Sequence, residues 1–196
     1  MLKSICVYCG SSDKINPAYL QAARRMGQAI AGQGMRLWYG AGSTGLMGAV
    51  AEGAIQAGGE VIGVIPAIFN TPQLAHWGLT RLEVVETMHL RKQRLAEQAD
   101  AFVALPGGYG TFEEFFEILT WSQIGLHRKP VGLLNVLGYF DPLLKMVEYA
   151  RKEGFIYDEH RALFTHAETP DELLQMMVDY QPPQGLDRWL TQQFSI

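Results

Sequence analysis

Short, almost continuously apolar runs alternate along the chain with stretches in which apolar residues recur every three or four positions. The runs at residues 4–9, 36–39, 60–65, 81–85, 101–105 and 130–134 have strand length, and a short seventh falls around 163–166. Runs this apolar leave no polar face for solvent, so they predict the strands of a central parallel sheet covered on both sides. The helical stretches between them open on start signals. Asn16-Pro17, Asp141-Pro142 and Thr169-Pro170 each set a capping residue ahead of a proline whose missing N–H is harmless in a first turn. Asp171 and Glu172 follow in the last of these, where the helix dipole favours negative charge. Residues 66–80 have weak periodicity and read as an irregular excursion. The expected architecture is α/β, a doubly wound parallel sheet of about seven strands with helices on both faces. A single domain over residues 1–180 accounts for it. Residues 181–196 read as a C-terminal tail with a short amphipathic piece around Trp189.

Composition alters this picture little but narrows the chemistry. With 48% hydrophobic and 18% charged residues, 196 residues suffice for one full core and do not read as disordered. A formal net charge of −4 supplies no basic footprint, so no nucleic-acid partner is expected. A phosphate ligand then has to be held locally, by backbone amides and a few cations. No apolar run approaches a membrane span, and Met1-Leu2-Lys3-Ser4 leads into strand-like sequence without a signal-peptide pattern, so a cytoplasmic location with no membrane contact is expected. Cys6 and Cys9 spell C-x-x-C, but residues three apart on a strand face opposite sides, which disfavours a disulfide. His76, His89, His127, His160 and His166 show no metal-ligand spacing, and no metal is expected.

Three strand-to-helix junctions carry small residues: Cys9-Gly10-Ser11-Ser12, residues 40–48 and residues 106–111. In a parallel sheet all three emerge at the carboxyl edge, where ligands bind in such folds. Gly40-Ala41-Gly42-Ser43-Thr44-Gly45 matches the dinucleotide pattern G-x-G-x-x-G. That reading requires an acidic residue ending the next strand, whereas Glu60 begins it, and the motif follows the second strand rather than the first. A tight turn with close packing through Gly45 and Gly48 is the plainer account. Pro106-Gly107-Gly108-Tyr109-Gly110-Thr111 is the stronger signal. Its glycines let successive amides converge, the following helix adds its positive end, and the combination suits a phosphate monoester. Thr111 and Glu114 also have capping-box spacing for a helix over 112–124, which leaves the glycines upstream unexplained.

Two helices carry charge where core is expected. A helix over about 87–98 puts Met88, Leu95 and Ala99 on one stripe, flanked by Arg91 and Lys92. Snorkelling to solvent serves for Lys92 as well as an anionic partner does, while the planar fork of Arg91 suits a carboxylate or phosphate. In the helix over 112–124, Phe112, Phe115, Phe116 and Leu119 read as the buried face. Glu114, Ile118 and Trp121 then form a second face, to be covered by a homodimer or by a peripheral loop.

The run Met88-His89-Leu90-Arg91-Lys92, followed by Pro106-Gly107-Gly108-Tyr109-Gly110-Thr111-Phe112-Glu113-Glu114, resembles the Lonely Guy family of cytokinin riboside 5′-monophosphate phosphoribohydrolases. The resemblance runs from Ile5-Cys6-Val7-Tyr8-Cys9-Gly10-Ser11-Ser12 through Gly45-Leu46-Met47-Gly48 to Lys129-Pro130-Val131-Gly132-Leu133, and fades near Tyr180. It implies a Rossmann-like homodimer with sites at or near the interface. It also implies hydrolysis of the N-glycosidic bond of cytokinin riboside 5′-monophosphates or AMP, giving free base and ribose 5-phosphate. Arg91 and Glu114 match the family's catalytic pair. Lys92, Gly108, Tyr109, Gly110, Thr111 and Thr120 match nucleotide contacts, and Gln73 stands where relatives carry a glutamate. Gly107, with Gly10, Ser11 and Gly42 from the neighbouring loops, completes the expected substrate-binding set. Ala41 replaces a glycine of the family's turn and is expected to be tolerated.

Departure of a purine builds positive charge on the ribose. Glu114 as a carboxylate would stabilise that charge and orient or deprotonate the attacking water, while Arg91 would hold Glu114 or the substrate. No cofactor is called for. A non-catalytic nucleotide carrier or sensor of the molybdenum-cofactor-carrier type is the alternative, but it has no need of a carboxylate beside a phosphate. Lysine decarboxylation, a historical label among relatives, would require pyridoxal phosphate on a lysine, and Lys92 is the sole candidate near the site.

Overall fold

Each apolar run becomes a strand because helices can cover it on both sides. The computed structural model describes residues 2–186, and the piece expected around Trp189 lies outside the described residues. In chain order the elements are β1 (Ser4–Tyr8), α1 (Pro17–Gly32), β2 (Arg36–Tyr39), α2 (Gly45–Gln56), β3 (Val61–Pro66), β4 (Arg81–Val85) and α3 (Met88–Gln98). There follow β5 (Ala101–Ala104), α4 (Tyr109–Gln123), β6 (Val131–Leu134), α5 (Asp141–Lys152), β7 (Thr165–Ala167) and α6 (Pro170–Val178). The strands form one seven-stranded sheet in the order β4-β3-β2-β1-β5-β6-β7, with every pair parallel. The expected doubly wound sheet is therefore present, and the expected irregular excursion between β3 and β4 contains the short 3-10 turn Ala67–Phe69 and an isolated antiparallel bridge from Ala75 to Gly42.

Alternation along the strands divides the core in two. Ile5, Val7, Leu37, Tyr39 and Val103 face α1, α2 and α6, while Cys6, Tyr8, Trp38, Ile62 and Phe102 face α3, α4 and α5. Cys6 and Cys9 fall on opposite sides as the two-residue period requires, and both are free thiols whose burial raises their pKa. Each large side chain in these layers is nearly sealed from water, a contribution of roughly 1.5–3 kcal/mol apiece. On the first face α1 and α2 approach until their backbones touch. A β-carbon at Gly27 would lie 2.0 Å from the carbonyl oxygen of Val50, and one at Gly53 would lie 2.1 Å from that of Arg24.

Two expectations about α4 are corrected. The helix starts at Tyr109 rather than at residue 112, because glycine is tolerated in a first turn whose amides have no helical partner anyway. Its buried residues are Thr111, Glu114, Phe115, Ile118 and Ser122; of the expected set Phe115 is among them, while Phe112, Phe116 and Leu119 are only half-buried against the same core. Ile118 is 1% exposed, so the face expected to meet a second copy is packed inside the chain. Among the described residues no helix is long and apolar enough to cross a membrane.

Candidate active site

At the carboxyl edge of the sheet the loops after β1, β2 and β5 are stitched together. Gly10 N–H donates to the Pro106 carbonyl (3.1 Å), joining the first loop to the third. Thr44 Oγ1 donates to the Ser11 carbonyl (2.8 Å), joining the second to the first.

These contacts separate the two glycine-rich motifs. At the start of α2, Gly45 N–H donates to Asp13 Oδ1 (2.7 Å), and the amides of Leu46 and Met47 both donate to the Gly10 carbonyl (2.9 and 3.3 Å). The donors a dinucleotide pyrophosphate would need are already satisfied by the chain. Glu60 precedes β3 and pairs weakly with Arg36, so it is not the ribose-binding acid either. At the start of α4 the opposite holds. Tyr109, Gly110 and Thr111 are the first three helical residues, and no protein group accepts from their amides among the described residues. Thr111 is not an N-cap and forms no capping box; that position belongs to Gly108. The amino end of α4 thus has donors free to receive an anion.

Arg91 and Glu114 meet beside it. Thr87 caps α3 by accepting from Leu90 N–H (3.2 Å), and this start angle turns Arg91 inward. Arg91 Nη2 lies 3.1 Å from Glu114 Oε1, with side chains only 11% and 9% exposed. Nη1 donates to the Met88 sulfur (3.1 Å), and Nε is buried without an acceptor among the described residues. Burial pushes the Glu114 carboxyl up to about 7. The Arg91 charge opposes that rise most, Glu113 adds to it, Lys92 opposes it and Glu117 adds least.

Lys92, one residue on, neither snorkels nor stands free. Its ammonium bonds Glu113 (2.5 Å) and Glu117 (2.9 Å) on α4, tying the two helices together. Burial works to lower its pKa, but those two bonds outweigh it and the pKa is raised. A lysine held as an ammonium is a poor partner for a Schiff base.

Two adjoining clefts flank this arrangement and share Ser11. One, of about 350 Å³, is lined by Gly10, Ser11, Gly107, Gly108 and Tyr139; the other, of about 270 Å³, by Gly42, Met47, Phe69, Leu74, Met88 and Arg91. Larger hollows between β4 and α3 and beneath α5 contain neither the loops nor the buried ion pair, so size does not select the site. Tyr109 is 94% exposed at the mouth. Gln73 is exposed on the excursion, whose backbone is sewn to the second loop by Ser43 N–H to the Leu74 carbonyl (3.0 Å). Thr120 is not brought to this site within one chain. It is exposed on α4, about 13 Å along the axis from Thr111.

Three contributors escaped sequence reasoning. Asp13 caps a helix that begins 32 residues later. The Tyr139 hydroxyl donates to the Gly107 carbonyl (2.5 Å), fixing how that peptide faces. Gly40 lies under Arg91. Nothing local in the sequence announces these contacts, since each partner arrives from a distant segment. Among the described residues no group of three or more His, Cys, Asp or Glu side chains is placed to hold a metal ion.

Comparison with known proteins sets this geometry in context. A family described as possible lysine decarboxylase matches residues 47–177. A cytokinin riboside 5′-monophosphate phosphoribohydrolase from Rhodococcoides fascians is 54% identical over 155 residues, covering 79% of this chain and 78% of that protein. An Arabidopsis thaliana protein of the same name is 44% identical over 180 residues, covering 92% and 83%. Among solved structures, the molybdenum cofactor binding protein of Rippkaea orientalis superposes with a TM-score of 0.70 at 23% identity, covering 91% of this chain and 97% of that one. The last likeness is one of fold.

Proposed function

The chain belongs to the family described as possible lysine decarboxylase and is similar to the phosphoribohydrolases of Rhodococcoides fascians and Arabidopsis thaliana, and from that premise we propose that it cleaves the N-glycosidic bond of cytokinin riboside 5′-monophosphates. The products are the free base and ribose 5-phosphate. AMP is the simplest nucleotide with the same bond and is proposed as a second substrate. One observation carries the reading: a buried arginine–carboxylate pair lies beside an anion-ready helix end.

In this reading the 5′-phosphate sits on the amides of Gly108, Tyr109, Gly110 and Thr111, with Gly107, Gly10, Ser11 and Gly42 forming the surrounding walls. Water adds to the anomeric carbon as the C–N bond breaks, the base leaving with that bond's electron pair. Glu114 faces the developing positive charge and takes the proton of the water, and that proton passes by way of solvent to the departed base, leaving the carboxylate ready for the next turnover. Arg91 holds the carboxylate in line. A pKa near 7 suits this task, since the group is then half ionised at neutral pH and still basic enough to accept a proton. Lys92 serves by joining α3 to α4, and Gln73 by its place on the excursion beside the second cleft.

The enzyme is proposed to be cytoplasmic and to act as a homodimer. Val84 on edge strand β4, with Met88 and Leu90 on α3, presents exposed apolar surface next to the Arg91 cleft, and a second copy would cover it. Thr120 could then serve only a site shared with that copy. The test is incubation of the protein with AMP and with N6-isopentenyl AMP, following base release by chromatography, with Glu114→Gln alongside. Release by the wild type and a loss of at least about 100-fold in the variant are expected. Tight AMP binding without release would instead favour the carrier.

A further inference from the structure

Gly40 follows the last residue of β2, and the Arg91 guanidinium rests against it. A β-carbon built at this position falls 2.0 Å from Arg91 Nη2, 2.9 Å from Cζ and 3.3 Å from Nε, and these are its three nearest neighbours. Non-bonded atoms of this kind settle about 3.5 Å apart, so any side chain at residue 40 drives the guanidinium aside by about 1.5 Å. Gly40 is not among the positive-φ residues, so an alanine there meets the guanidinium and not a backbone penalty. The other polar contacts of the guanidinium among the described residues are Glu114 Oε1 and the Met88 sulfur, each at 3.1 Å; neither could keep its place through such a shift.

We infer that Gly40 is a positioning residue for the Arg91–Glu114 pair: its missing side chain is the space in which the guanidinium lies, and this sets Nη2 in line with Oε1. The inference rests on the assignment of that pair as catalytic, and the experiment keeps the two apart. Gly40→Ala, Arg91→Ala and the double variant are compared in the full-length protein by steady-state hydrolysis of the better of the two nucleotides and by thermal melting. Gly40→Ala is expected to lose about 100-fold in kcat, as misplacement by an ångström does, with a smaller change in KM and a melting temperature near that of the wild type. The acid limb of its pH profile moves to higher pH. Displacing Arg91 weakens the charge that opposes burial of Glu114, while Lys92 on α3 and Glu113 and Glu117 on α4 stay where they are.

The double variant is expected to be no slower than Arg91→Ala alone, because once the guanidinium is gone there is nothing left for Gly40 to accommodate. Normal turnover by Gly40→Ala beside an inactive Arg91→Ala overturns the inference, and so does a double variant slowed by the product of both losses. Normal turnover by Arg91→Ala removes the catalytic assignment, and the inference falls with it. If Gly40→Ala fails to fold, the double variant must fold, since the space is reopened. A double variant that also fails to fold gives Gly40 a backbone role instead and overturns the inference.

Discussion

At the scale of single residues, the Glu114 carboxyl is the group whose chemistry pH should expose. Its pKa stands near 7 in the folded chain against an ordinary 4.5, chiefly because it is buried. The carboxylate is the working form in the proposed reaction, so kcat/KM is expected to fall as pH drops through about 7 and to level off above it. Stability moves the other way. Between pH 4.5 and 7 the folded chain binds this proton and the unfolded chain does not, so rising pH removes stability across that window. Glu114→Gln has no such loss. From pH 4.5 to 8 the stability gap, followed by urea melts, should shift in its favour by an amount on the order of 3 kcal/mol. A flat gap would mean that the carboxyl is ionised normally. Ala41 shows the opposite kind of legibility. Its sequence position marked a departure from the family's glycine, but only the fold shows that it adopts a left-handed φ of 60° with its methyl packed near Gly63. That conformation costs an alanine about 1–2 kcal/mol.

Elements were easier to read than their faces. All seven strands and the major helices stand close to their expected positions, because period and caps are local properties of the chain. Which stripe of α4 meets the sheet was not local. Its phenylalanines make either face plausible, and Glu114 points inward only because Arg91 arrives from α3 to meet it. The same reason hid Asp13 and Tyr139, whose donor and acceptor partners, the Gly45 amide and the Gly107 carbonyl, lie 32 residues away along the chain. The α1–α2 crossing gives the element-scale prediction. A methyl at Gly27 would strike the Val50 carbonyl and the Ala54 amide, and backbone atoms in packed helices cannot step aside as a side-chain tip can. Gly27→Ala is therefore expected to cost about 3 kcal/mol or more, lowering the melting temperature by roughly 6 °C at least. A change within a degree or two would show that the helices can slide apart cheaply.

For the molecule as a whole, the expected parallel sheet is present, while the expected way of pairing two copies is not. Ile118 is inside the chain. Exposed apolar side chains lie elsewhere, Tyr149 and Phe155 among them, and those beside the Arg91 cleft are Val84, Met88 and Leu90 at the β4 edge and on α3. If two copies meet there, light scattering should give twice the mass of one chain, and Leu90→Asp should halve it. A monomeric wild type would reject the dimer without touching the hydrolase reading. The order of the strands also has a consequence in time. β1 is synthesised well before β5, yet it ends in the middle of the sheet, with β2 on one side and β5 on the other. Its second edge is filled only when Ala101–Ala104 emerges, and Asp100 then receives the amides of Lys3 and Ser4. At roughly 5–20 residues per second, the nascent chain waits about 5–20 seconds with that edge unpaired. Over this interval the growing protein is exposed to its neighbours on the polysome, and a ribosome that stalls before residue 101 releases a fragment with a sticky centre rather than a harmless stub.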